Sequence, residues 1–104
     1  MLQTTIQNYS VNPVEKNPTK IVENIKKSIR KSKTANMTID ISMLNLIDAS
    51  KVATIGSTYH FLKFAEGSIN WVVNSKEVEN MIKPLNLGNS KFISVWFFQN
   101  SAFL

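Results

Sequence analysis

The chain has no cysteine, which rules out disulfides and any thiolate metal site. It has one histidine, His60, and its acids are not clustered, so the sequence offers no recognisable metal ligand set. No apolar run approaches the roughly 20 residues needed to cross a bilayer. Met1 to Ser10 lacks the basic start and apolar run of a signal peptide. The expectation is a cytoplasmic protein with no membrane span, no metal and no cofactor. Glycine-rich phosphate loops and helix-turn-helix signatures are also missing. So are internal repeats and low-complexity runs.

What is present suits one globular domain. The 104 residues are 43% hydrophobic, enough for a single core. The formal net charge of +5 is unevenly placed: seven of the twelve basic residues lie between Lys16 and Lys33, opposed there only by Glu15 and Glu23. Residues 34–104 carry five charges of each sign. Any electrostatic preference therefore belongs to one element.

Leu2 to Tyr9 reads as a first strand, with Leu2, Thr4 and Ile6 on one side. Asn12-Pro13 and Asn17-Pro18 mark a loop. Asn17 then suits an N-cap with Pro18 at the first helical position, where its missing N–H costs nothing. Ile21, Val22, Ile25 and Ile29 follow at helical spacing and predict a helix from about Pro18 to Lys31, with Glu23 and Lys27 paired across one turn. Met37, Ile39, Ile41 and Met43 alternate with polar residues and predict a strand. From Ser50 the period turns helical, with Val52, Ile55, Tyr59 and Leu62 along one stripe. Ile69, Trp71 and Val73 predict a third strand. Asn74 to Glu77 resembles a capping box for a helix that buries Val78, Met81, Ile82 and Leu85 and ends near Pro84 and Gly88. Lys91 to Phe98 is apolar on both strand faces, as interior or interface strands are. The order β-α-β-α-β-α-β favours parallel neighbours with right-handed crossovers.

The central half carries a motif. Thr38-Ile39-Asp40-Ile41-Ser42 is followed by the apolar bridge Met43 to Ile47, then by Asp48-Ala49-Ser50-Lys51. This resembles a STAS domain, the fold of bacterial anti-sigma factor antagonists, in which a strand of the form apolar-apolar-Asp-apolar-Ser leads through a short bridge to Asp-Ser-Ser-Gly at a helix start. Ile69 to Val73 and Lys83-Pro84-Leu85-Asn86-Leu87 extend the resemblance over residues 37–87. Here Ala49 replaces the first serine, Lys51 replaces the glycine, and the N-terminal pair of strands is reduced to one. The resemblance implies an α/β fold: a single two-layer STAS-like domain over residues 1–104, with a mixed sheet of about four strands and covering helices. It implies a non-enzymatic regulatory protein–protein interaction module, with Ser50 at the family's phosphorylated position. A kinase or an anti-sigma-like regulator is then the implied partner.

Asp48, Lys51 and Asp40 accompany Ser50 as candidates for partner docking. The alternative for Asp48 and Ser50 is helix capping, which both side chains do well. Lys51, in the first turn, would sit unfavourably beside the positive end of the helix dipole, and a phosphate on Ser50 would offset it. Catalysis is poorly provided for. On one helix, Ser50 and His60 are about 15 Å apart, whereas a nucleophile and its base need roughly 3 Å. Ser57 shares a face with His60 but lacks the exposed turn of a nucleophile. The basic helix has no interleaved aromatics for stacking on single strands, so nucleic acid is not the expected partner. Trp96, Phe97, Phe98 and Phe103, with Leu104, exceed what a small core buries and predict a homodimer contact. An accessory or structural protein that dimerises through this tail, with no switch, is the alternative function.

Overall fold

Asn17 begins the helical layer as its side chain predicts: Asn17 Oδ1 accepts the Thr19 N–H at 2.9 Å, and Pro18 opens the helix. A computed structural model describes residues 6–10, 15–85 and 87–95. Four strands, β1 (Ile6–Ser10), β2 (Asn36–Asp40), β3 (Ser68–Val73) and β4 (Ser90–Ser94), alternate with three helices, α1 (Pro18–Lys31), α2 (Leu46–Lys63) and α3 (Lys76–Ile82). A 3-10 turn, Lys83–Leu85, continues α3. The strands lie in the order β1-β2-β3-β4, and every neighbouring pair is parallel. The expected mixed sheet is therefore corrected to an all-parallel one among the described residues. Each connection passes through a helix, which returns the chain to the same end of the sheet.

The helices form one layer, α1 against α2 and α2 against α3. Their apolar faces meet Met37 and Ile39 of β2, Ile69, Trp71 and Val73 of β3, and Phe92 of β4. Ile21, Ile25 and Ile29 are the buried stripe of α1, spaced by helical turns. Trp71 is fully buried at the centre of this interface. It fits because α2 offers Gly56 there: a Cβ at that position would stand 2.6 Å from the far edge of the indole ring.

Several boundaries differ from the sequence pattern, each for a local reason. The alternation of β2 runs to Met43, but the strand stops at Asp40. Asp40 Oδ1 accepts the Ser42 N–H at 2.9 Å, and the Leu44 N–H reaches the Ile41 carbonyl at 3.0 Å, which closes a turn. Glu23 pairs with Lys26 at 3.7 Å, not with Lys27. Ser75, not Asn74, caps α3, its Oγ accepting the Val78 N–H at 3.2 Å. Asn74 donates to the Ser42 carbonyl at 3.0 Å and ties the end of β3 to the turn after β2.

The last strand is shorter than its apolar run. It ends at Ser94, Val95 is helical, and β4 lies at an edge of the described sheet, not in its interior. Its outward Ser94 N–H donates to Glu79 Oε1 at 3.0 Å, so a buried carboxylate blunts the edge there. Lys76 and Lys83 hold the other oxygen at 2.9 and 3.2 Å. Burial alone would push the Glu79 carboxyl up, but these three donors together hold it below the usual value. The dimer-contact candidates Trp96, Phe97, Phe98 and Phe103, and the first part of the predicted N-terminal strand, Leu2 to Thr5, lie outside the described residues.

Candidate functional site

The start of α2 gathers most of the residues that the sequence motif singles out. The chain leaves β2 through the Asp40–Ser42 turn and reaches Asn45, the N-cap. Asn45 Oδ1 accepts the Asp48 N–H at 2.8 Å, and the Asn45 carbonyl accepts the Ala49 N–H at 2.8 Å. The helix therefore begins four residues before Ser50. Neither Asp48 nor Ser50 is the cap, which corrects the expected geometry. Asp48 is the third helical residue, in the first turn, where its negative charge is favourable. Ser50 is the fifth, half-buried, and its Oγ donates back to the Leu46 carbonyl at 2.8 Å. Lys51 is the sixth residue, exposed and past the first turn, so the dipole does not oppose it as the sequence suggests.

Asp40 is set apart from these three. It ends β2 half-buried, with its carboxylate engaged in the turn. Ser50 and Lys51 instead line a shallow groove of about 370 Å³ with Thr54, Ile55 and Leu85, between α2 and the 3-10 turn. Lys51 and Ile55 also line a second groove of about 320 Å³, against Pro18, Thr19, Val22 and Glu23 of α1. Lys51 and Ile55 thus form a ridge between two grooves, and Ser50 stands at the rim of one.

The composition of α2 is inverted relative to an ordinary surface helix. Its buried face is Ala49, Val52, Ala53, Gly56, Ser57 and His60. Ile47, Ile55 and Leu62 are 65%, 44% and 76% exposed. The predicted buried stripe of Val52, Ile55, Tyr59 and Leu62 is corrected accordingly: only Val52 is fully buried, and Tyr59 is partly so. The signal that identifies the inward face is the spacing of small residues at 49, 53, 56 and 57, which lets α2 lie close over Trp71.

At the other end of α2 the polar side chains are committed to one another. His60 is fully buried, its Nε2 2.9 Å from the Ala35 carbonyl and its Nδ1 3.3 Å from Asn89 Nδ2. A carbonyl needs a donor and an amide nitrogen needs an acceptor, so the ring is the neutral tautomer with the proton on Nε2. Burial holds its pKa below the ordinary histidine value, outweighing the upward pull of the Ala35 carbonyl. The Ser57 hydroxyl accepts the Trp71 Nε1–H at 2.9 Å and lies 2.6 Å from Ser90 Oγ. Both His60 nitrogens are thus engaged away from Ser57, and the two do not form a nucleophile–base pair. A cleft of about 450 Å³ opens beside this network, floored by Ser57, Gly67, Gly88 and Asn89. No buried side-chain nitrogen or oxygen among the described residues is left without a partner.

Among the described residues, no three His, Asp or Glu side chains converge as metal ligands, and no helix is long and apolar enough to cross a membrane. Comparison with family models, curated proteins and solved structures finds no match for the chain.

Proposed function

We propose that the chain is a STAS-like, non-enzymatic regulatory interaction module, similar in role to an anti-sigma factor antagonist, whose partner docks on the outer face of α2. The observation that carries this reading is the exposure of Ile47, Ile55 and Leu62 along a helix whose inward side is already packed. Apolar side chains left outside a small domain at this density mark a surface that another molecule covers. The place of the Asp48-Ala49-Ser50 triplet at the start of α2 is compatible with the reading, whereas the all-parallel sheet departs from the mixed sheet that the resemblance implies.

Ser50 is the proposed switch. Its hydroxyl is turned into the helix as a donor to Leu46. A phosphate cannot donate in its usual ionised form, so phosphorylation would turn the side chain out toward the groove rim. There it adds about −1.5 to −2 charges beside Lys51 and near Asp48. Attraction to one and repulsion from the other would reshape the docking face without unfolding the helix. The partner is then a protein, a kinase or an anti-sigma-like regulator. The test is an affinity capture from native cells with the wild type, Ser50→Asp and Ser50→Ala, alongside intact-mass measurement of the chain. A phosphoform together with a partner that distinguishes Asp from Ala supports the reading. No phosphoform under any growth condition, with no such partner, removes the switch.

A further inference from the structure

The outer face of the helix layer has two halves. On α1, Lys20, Lys27 and Lys31 are exposed and share one stripe, since spacings of seven and four residues return to the same side of a helix. They make no ion pair among the described residues. Three other cations nearby have partners. Lys26 pairs with Glu23, Arg30 Nη1 donates to Tyr59 Oη at 3.1 Å, and Lys63 caps α1 by donating to the Ile29 and Arg30 carbonyls. On α2, next to α1, stand the exposed Ile47, Ile55 and Leu62.

From this juxtaposition we infer that the partner is a protein whose contact surface is acidic around an apolar anchor. The acidic part would meet Lys20, Lys27 and Lys31, and the anchor would fill the grooves beside the Lys51–Ile55 ridge. The inference rests on the interaction-module reading and names the chemistry of its partner. Charge complementarity selects among occupants. A second copy docked through the same face about a two-fold axis would bring two uncompensated basic stripes together, at a cost in like-charge repulsion. A nucleic acid would satisfy the lysines but would leave Ile47, Ile55 and Leu62 against phosphate and sugar. A bilayer surface could take both halves, but it presents no discrete side chains to fill grooves of about 320 and 370 Å³ on either side of one ridge. A protein with a carboxylate-rich rim and one or two apolar side chains uses every feature of the face.

The test places a photoreactive benzoylphenylalanine at position 62 or position 24 of the full chain, in the native cell. The linked peptide is then identified by mass spectrometry. The expected result is one protein partner reached from both positions, linked through a peptide with more Asp and Glu than Lys and Arg. Its yield should fall about tenfold or more with Lys20→Glu, Lys27→Glu and Lys31→Glu combined, since such charges govern encounter rates over 10 to 10³-fold. Lys91→Glu, away from this face, should leave the yield unchanged. Thermal midpoints of the variants serve as the check on folding. No adduct from either position, an adduct to lipid, nucleic acid or a second copy, or a yield indifferent to the three lysines would overturn the inference. An adduct that depends on the lysines but ignores Ser50→Asp keeps this inference and removes the switch. One that responds to Ser50→Asp but not to the lysines does the reverse.

Discussion

Gly56→Ala should destabilise the protein, although alanine is the better helix former. In an exposed helix the exchange gains about 1 kcal/mol from propensity. At this position the new Cβ would stand 2.6 Å from Trp71 Cη2 and 2.9 Å from Cζ2, far inside ordinary contact. The indole cannot swing away cheaply. It is fully buried, and its Nε1–H is held by Ser57 Oγ at 2.9 Å. Overpacking of this kind costs about 1–3 kcal/mol, and a strained or broken Trp71–Ser57 bond adds about 1 kcal/mol. Summed against the propensity gain, the expected loss is about 1–3 kcal/mol. For a domain of this size that lowers the thermal midpoint by roughly 4–8 °C per kcal/mol. Urea unfolding followed by far-ultraviolet circular dichroism measures it directly. A double-mutant cycle with Trp71→Phe, which withdraws the far edge of the indole, should recover a large part of the loss as coupling. A Gly56→Ala chain that is as stable as the wild type, or more so, would refute the close packing of α2 on Trp71. With it would go the reason for the inverted helix.

Two further predictions come from local chemistry. Below the ordinary histidine pKa of 6.5 an unfolded chain takes up a proton that buried His60 resists, so the unfolded state binds more protons there. The His60 contribution is therefore fully present above about pH 6.5 and is lost as the pH falls through the lower folded pKa. Melting curves from about pH 7.5 to 5 should show it, and a slope unchanged in His60→Gln would exclude it. The capping assignment separates two residues at the start of α2: Asn45→Ala should cost about 1 kcal/mol of unfolding free energy. Ser50→Ala, which removes only a back-bond to Leu46, should stay within about 0.5 kcal/mol, and a larger loss at Ser50 than at Asn45 in chemical denaturation would return the cap to the later position.

Much of the scaffold is legible in the sequence because its signals are local. Asn17-Pro18 followed by Ile21, Ile25 and Ile29 specifies α1 to the residue, since cap, first turn and buried stripe all agree. Strand–helix alternation favours parallel neighbours and the STAS resemblance implies a mixed sheet; the described strands follow the alternation. The entry to α2 is less legible because two signals compete over the same residues. Hydrophobic alternation carries β2 on through Met43, while the Asp40 carboxylate bonds the Ser42 backbone and ends the strand. The turn wins, and Asn45 becomes the first side chain able to cap. Asp48 and Ser50 both suit capping by residue type, but they come after Asn45 in the chain and find the helix already begun. Glu79 and Asn89 are invisible for another reason. Each acts across long separations, Glu79 on Ser94 and Asn89 on Ser57 and His60, and no periodicity encodes such contacts.

The exposed apolar residues of α2 show where a one-dimensional pattern misleads. Val52, Ile55, Tyr59 and Leu62 make an acceptable helical stripe, and a rule that places large apolar residues inside chooses it. Packing against Trp71 imposes a different rule. Where the indole meets α2 it leaves no room for a side chain at Gly56, and small residues at 49, 53 and 57 share that buried face with Val52 and His60. The large residues are then turned outward by geometry, roughly 180° from the small ones at about 100° per residue. The apolar outer face is thus a direct consequence of where Trp71 sits. The proposed partner surface on α2 therefore depends on the close packing beneath it. On the proposed docking role, Gly56→Ala should weaken partner capture through a displaced α2 even though Gly56 itself is buried.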